Sequence, residues 1–235
     1  MPDGNDQALD QLSLDERLAR VRAGITDAAS VAGRAASEIT TIVVTKFHPA
    51  DLVRELYALG VRDFGENRHQ EAAAKAADLS DLRDATWHFV GQLQSKKARQ
   101  VAGYASVVHS IDRAALVTAL AVPREVPLDC FVQINLTDDP GRGGVAPDGL
   151  DELVERVLAT TPLNLLGVMA VAPLGEEPRR AFARLRALSD RVVALAPEAN
   201  RISAGMSHDY REAIAEGATH LRIGTAITGN RPLPG

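Results

Sequence analysis

The sequence holds a single cysteine, Cys130, and a single tryptophan. One cysteine excludes an internal disulfide and any cage of thiolates around a metal. Set in an apolar run, Cys130 reads as a small buried hydrophobe rather than a nucleophile. The six histidines have no partners at metal-ligand spacing, so hydrogen-bonded core or rim positions are expected for them and no metal site. Positive charge is in deficit too. A formal net charge of −5 argues against nucleic acid as a partner. No apolar run nears the roughly 20 residues of a membrane span, so no membrane partner is expected. The polar, acidic start Met1–Gln7 lacks the basic and apolar regions of a signal peptide, which makes the cytoplasm the expected location. What is present is ordinary for a soluble globular protein: 46% hydrophobic against 24% charged residues, over a length that buries one large core without staples.

A helical pattern opens at Ser13, where Glu16 three residues on completes a capping box and Leu18, Val21, Ile25 and Ala29 follow at helical spacing. Short apolar runs then alternate with helical stretches. The runs are 41–45, 61–64, 87–90, 106–109, 131–136, 163–171, 201–203 and 220–223. The helices between them centre on 52–59, 70–77, 96–101, 114–121, 150–158, 179–195 and 210–215, and a last short one is expected after Gly229, limited by Pro232 and Pro234. Continuously apolar strands alternating with helices predict parallel strands buried on both faces, hence a (β/α)8 TIM-type barrel with an extra N-terminal helix. Periodicity alone also allows a doubly wound open sheet. No linker divides the chain, so residues 13–235 are expected as one barrel domain behind a poorly ordered segment 1–12.

Barrels carry their chemistry at the C-terminal ends of the strands. Lys46 ends the first run, Ile42-Val43-Val44-Thr45-Lys46, and an amine rooted in an apolar rim can attack a carbonyl. By position alone it would be a surface lysine. At the far end of the chain lie Ser203-Ala204-Gly205-Met206-Ser207 and Arg222-Ile223-Gly224-Thr225. Loops after the seventh and eighth strands often build a phosphate site. Gly205 and Gly224 allow close backbone approach, and Ser203, Ser207 and Thr225 offer hydroxyls. The competing role is capping: Ser207 or Asp209 at the helix from Tyr210, with Asp209 and Glu212 spaced as a capping box. Arg222 has a rim salt bridge to Glu66 as its ordinary alternative, and Asn67 could cap the helix after it. Residues 138–149, with Gly141, Gly143 and Gly144, lack P-loop spacing and read as a mobile rim loop. A lysine facing a phosphate cup equips a pyridoxal phosphate (PLP) site or a Schiff-base aldolase equally well.

The motifs taken together break that tie. Val44-Thr45-Lys46, Gly65-Glu66-Asn67-Arg68-His69-Gln70-Glu71, Trp87 to Ser95, Gly167-Val168-Met169-Ala170, Ser203 to Ser207 and Arg222 to Thr225 resemble, in order and across nearly the whole chain, the YggS/PROSC-type PLP homeostasis proteins. These are relatives of the alanine racemase N-terminal barrel. The resemblance implies Lys46 as the Schiff-base lysine, with Ser203, Gly224 and Thr225 around the phosphate. It implies Arg222 near the pyridine nitrogen and Asn67 near the ring, and it includes Met206 and Ser207 in the same motif. The chain departs from the family at Lys96, at Arg142-Gly143-Gly144 and at Thr228, positions outside the implied cofactor site. The function implied is reversible PLP binding in homeostasis, with no dedicated reaction and no catalytic residues. Free amino acids and, transiently, PLP-dependent apoenzymes are the expected partners of a monomer. Amino-acid racemisation is the alternative. Such racemases add a β-domain whose tyrosine serves as second base, and the chain's end at Gly235 leaves no room for one.

Overall fold

The computed structural model describes residues 11–230. The segment 1–12 falls outside them except for its last two residues, and Pro232 and Pro234 fall outside as well. Eight parallel strands close into a barrel in sequence order. They are β1 Thr40–Val44, β2 Asp63–Glu66, β3 Thr86–Phe89, β4 Val107–Ile111, β5 Leu128–Gln133, β6 Leu163–Met169, β7 Arg201–Ser203 and β8 His220–Ile223. The open-sheet alternative is excluded by one seam: β8 pairs with β1, from Thr40↔His220 to Val43↔Ile223.

Nine helices run between and around the strands among the described residues: α1 Leu14–Val31, α2 Ala50–Ala58, α3 His69–Asp78, α4 Ser95–Ala102, α5 Ala114–Leu120, α6 Leu150–Leu158, α7 Pro178–Leu195, α8 Tyr210–Ala215 and α9 Thr225–Thr228. None is long and apolar enough to cross a membrane. A short helix, α9, precedes Gly229, whose φ of +75° ends it, and the helix expected after Gly229 lies outside the described residues. Strand β5 begins three residues before the expected run, because its register is set by Leu128↔Leu163. Beyond β5, Ile134 N–H still donates to the Met169 carbonyl at 2.8 Å, and Ile134 bridges to Val145.

A four-residue α9 cannot cover β8 and β1. The N-terminal helix takes that place. Glu16 accepts from the Ser13 N–H at 2.8 Å, and Leu18, Val21, Ile25, Ala28 and Ala29 are buried. Arg17 Nε donates to the Ile227 carbonyl at 2.7 Å, tying α1 to α9. Outward strand residues such as Val43, Phe64, Val108, Cys130, Val132 and Ile202 join the helices in one hydrophobic core. The inward set is different. Phe131, Met169 and Val107 share the lumen with His88, His109, His220, Ser203 and Arg222.

The 138–149 loop, expected as mobile, is tied down: Asn135 N–H and Gln133 C=O both bond Val145, and Asn135 Nδ2 donates to the Asp139 carbonyl.

Candidate functional site

Lys46 sits in a tight turn just past β1. The ladder continues one residue beyond the strand, Thr45 N–H to Gly65 C=O at 3.0 Å, and the turn closes with His48 N–H to Thr45 C=O at 3.1 Å. Phe47 takes φ +69°, which costs a non-glycine residue of order 1–3 kcal/mol and persists only where neighbours over-determine it. Here Glu71 accepts the Phe47 N–H at 3.1 Å, and the Arg68 guanidinium lies 4.9 Å from its ring. Lys46 Nζ is 6.0 Å from the same ring and forms no ion pair among the described residues.

Beneath the turn lies a buried pair that sequence reading missed. Lys75 Nζ donates to Glu66 Oε1 at 2.6 Å and to the Thr45 carbonyl at 2.7 Å, while Thr45 Oγ1 donates to the same Glu66 oxygen. Burial pushes Glu66 above the usual carboxylate range, and Lys75 pulls it back only in part. The rim salt bridge considered for Arg222 therefore does not form, because Glu66 is already taken by Lys75.

The chain's four lysines now separate. Lys75 is buried and paired, Lys96 and Lys97 stand at the start of α4, and Lys46 follows β1 with no carboxylate partner among the described residues.

Across the β1–β8 seam, the two glycine loops meet. Ser207 Oγ accepts from the Ala226 N–H at 3.3 Å and from Thr225 Oγ1 at 3.4 Å. Ser207 thus faces α9 and does not cap α8. Asp209 does not form the expected capping box either: its carboxylate turns back to the Met206 N–H at 2.6 Å. Gly205 has φ +93°, and a Cβ there would lie 2.7 Å from Ala213 Cβ, so packing requires glycine. Gly224 differs. Its Cβ would make only an ordinary contact with Val44, at 3.7 Å, so packing does not require glycine there. Met206 is partly exposed at the rim.

Ser203 and Arg222 lie deeper. Ser203 is fully buried, and its Oγ accepts from Arg222 Nη1 at 2.7 Å and contacts His109 Nδ1 at 2.9 Å. Arg222 Nη2 donates to the Ala170 carbonyl at 2.9 Å. Burial pulls this guanidinium down to about 10, which still leaves it charged at neutral pH. The structure thus joins Ser207, Thr225 and Gly224 at the mouth and separates Ser203 from them, in the lumen. Asn67 does not cap α3, whose N-cap is Arg68. It lines a polar hollow of about 340 Å³ with Gln92, Gln94 and Lys97.

The lumen histidines give a first expected outcome. Burial drives His220 down to about 4, and burial with His88, Arg222 and His220 nearby holds His109 well below the usual imidazole range. Both stay neutral in the fold, whereas the unfolded chain takes up protons near 6.5. Their contribution is fully present above that value and is lost as pH falls toward 4, by about 3 kcal/mol for His220 alone. Denaturant midpoints measured from pH 7 to pH 4 should fall steadily, and a flat profile would contradict the burial.

The model of the family "Alanine racemase, N-terminal domain" matches residues 17–232. A protein of Mycobacterium leprae named pyridoxal phosphate homeostasis protein is 41% identical over 232 residues, covering 90% of each chain. The solved structure of PipY from Synechococcus elongatus with PLP bound is similar at a TM-score of 0.80 and 36% identity, covering 92% of this chain and 100% of that one. Alanine racemase from Corynebacterium glutamicum shares the fold at a TM-score of 0.68 and 15% identity, with 62% of its length covered.

Proposed function

The chain belongs to the alanine racemase N-terminal-domain family, among its pyridoxal phosphate homeostasis proteins, and on that premise we propose that it binds PLP through Lys46 and serves PLP homeostasis. The observation that carries the assignment of residues is the closed seam: Val43↔Ile223 pairing brings the Lys46 turn beside Gly224.

The donor set fits the group. PLP supplies an aldehyde that condenses with an amine, a phosphate dianion, and a ring nitrogen that accepts a hydrogen bond. Lys46 offers an amine with no carboxylate partner among the described residues. Ser207 and Thr225 hydroxyls, with Gly224 where packing does not demand a glycine, suit the phosphate. Arg222 suits the ring nitrogen, because a buried, charged guanidinium donates and keeps a proton off its acceptor. Asn67 would lie near the ring and Met206 would belong to the loop that holds the phosphate in this reading. Ser203 acts through Arg222 from below.

Catalysis of racemisation is not proposed. An unprotonated ring is a poor electron sink, and Arg222 favours that state. Missing one positioned acid–base group typically costs about 10²–10⁴-fold. The test has two arms. Purified protein should absorb as a lysine-bound PLP protein and gain a phosphopyridoxyl mass on borohydride reduction. The same protein with L-alanine in D₂O should give no Cα exchange at an ordinary enzymatic rate, about 1–10³ per second. Exchange at that rate would make it an enzyme. The remaining parts of the reading are a monomer in the cytoplasm that exchanges PLP with free amino acids and, in transient contact, with apoenzymes.

Replacing Gly224 by valine should weaken PLP binding about 10–100-fold, the worth of a charge-assisted hydrogen bond or two, and leave pyridoxal binding nearly unchanged. Titrations with both ligands check this. Equal loss for both would mean that the phosphate lies elsewhere.

A further inference from the structure

Five polar residues thread the barrel from one mouth to the other. Asp63 Oδ1 is 3.0 Å from His88 Nε2, His88 Nδ1 is 2.9 Å from His109 Nε2, and His109 Nδ1 is 2.9 Å from Ser203 Oγ. Arg222 Nη1 closes the row on Ser203 at 2.7 Å. We propose that this row is a one-way chain of hydrogen bonds running from Arg222 down to Asp63, and that Asp63, His88 and His109 are positioning residues for the cofactor end.

The two ends fix the direction. A guanidinium can only donate, and a carboxylate can only accept. Asp63, about a third exposed, opens to solvent at the N-terminal mouth, and Arg222 is buried beneath the C-terminal one. Ser203 accepts from Arg222 and has one hydrogen, which goes to His109 Nδ1. His109 then carries its proton on Nε2 and donates to His88 Nδ1. His88 in turn carries its proton on Nε2 and donates to Asp63. Every ring nitrogen in the row is used once, and both imidazoles are neutral.

The reverse direction needs one more proton. His88 would have to donate from both nitrogens, and His109 would take the second lone pair of Ser203 beside the one Arg222 uses. The hydrogen of Ser203 would then have to find another acceptor in a fully buried place. The groups facing His88 and His109 are Asp63 from β2, His220 and Arg222 from β8, and the Phe131 ring, stacked on His109 at 4.6 Å. Arg222 is a fixed cation, so an added charge on the fully buried His109 meets repulsion from above. Low dielectric makes this costly.

The consequence concerns Arg222. Ser203 and the Ala170 carbonyl hold two of its five N–H groups, so the plane of the fork is set. The chain keeps Ser203 an acceptor toward Arg222 and turns its hydrogen away from the mouth. That part rests on the PLP reading above; the direction of the chain does not.

The experiment uses full-length protein with ¹⁵N-labelled histidine, first without and then with PLP. Long-range proton–nitrogen spectra at pH 7 should show His88 and His109 each as a single neutral tautomer with the proton on Nε2. A proton on Nδ1 of His109, or a doubly protonated ring at either position, would overturn the chain. Asp63→Asn, nearly isosteric and at the open mouth, replaces an obligate acceptor with a group that donates or accepts. It should cost the single tautomer at both histidines and shift the absorption band of bound PLP. An unchanged tautomer would refute the part of Asp63 in holding the direction. Changed tautomers with an unshifted band would refute the positioning role alone. Failure of the wild-type protein to bind PLP would remove the cofactor reading and the positioning role with it, while the tautomers would still report the direction.

Discussion

Lys46→Ala should abolish borohydride-fixed PLP and leave the fold intact. The amine lies over the Phe47 ring, 6.0 Å from its centroid, and forms no ion pair among the described residues. Its loss should therefore change stability within about 0.5 kcal/mol, as for a surface position without special contacts. The turn that presents it is held by other groups, Glu71 on the Phe47 N–H and Lys75 on the Thr45 carbonyl, and neither is altered. The other lysines are poor substitutes. Lys75 is committed to Glu66, and Lys96 and Lys97 lie on α4, on the far side of the Asn67 hollow from the Ser207–Thr225 hydroxyls. The variant should still bind PLP weakly without a covalent bond, through those hydroxyls and Arg222. Peptide mapping after reduction is the measurement. A phosphopyridoxyl group found on Lys97 of the wild-type protein, with Lys46 bare, would reject the assignment.

Lys75→Met should cost far more stability than any change at the mouth. Removing one partner leaves the Glu66 charge buried without compensation, a loss of about 3–5 kcal/mol. At this chain length that corresponds to a melting point lower by roughly 6–20 °C. The double variant Lys75→Met with Glu66→Leu should recover much of the loss, because an apolar pair of similar volume spares both desolvation costs. Glu66 is held high by burial, so the single variant's deficit should shrink as pH falls and the carboxyl takes up a proton. A further effect is expected at the site. The Thr45 carbonyl loses its ammonium donor, the Lys46 turn loosens, and PLP binds less tightly. Thermal melts from pH 7 to pH 5, with a PLP titration at pH 7, check both.

Much of this molecule could be read without coordinates. The strands at 201–203 and 220–223 and the helices at 150–158 and 210–215 stand at the expected residues, because their apolar spacing is local and Gly, Pro and polar clusters bound them. The residues of the mouth were legible for the same reason: Lys46, Asn67, Ser207, Gly224 and Thr225 follow directly on strand ends. The misjudged details are those set by distant chain. Asp209 has the spacing of a capping box, yet its carboxylate serves Met206. Arg222 was weighed as a rim charge against Glu66, yet it points down the lumen while Glu66 holds a lysine nine residues away. His88, His109 and His220 alternate with apolar residues on their strands, a signal that they share the inner face. No signal in the sequence says that two of them touch.

By itself, then, the sequence determined the order of elements, the parallel strands and the identity of the mouth residues. Those follow from period and from short-range turn chemistry. Tertiary structure alone decided that the sheet closes, that α1 covers what the four-residue α9 leaves bare, and which buried polar groups satisfy one another. His109 and Ser203 stand 94 residues apart and Arg222 lies 52 from Ala170, so each of these bonds joins strands that are not neighbours in the barrel and forms only across its lumen. Periodicity reports the face a side chain takes. The partner it meets there is fixed by closure, because an unpaired polar group in a dry lumen costs more than almost any local preference can return.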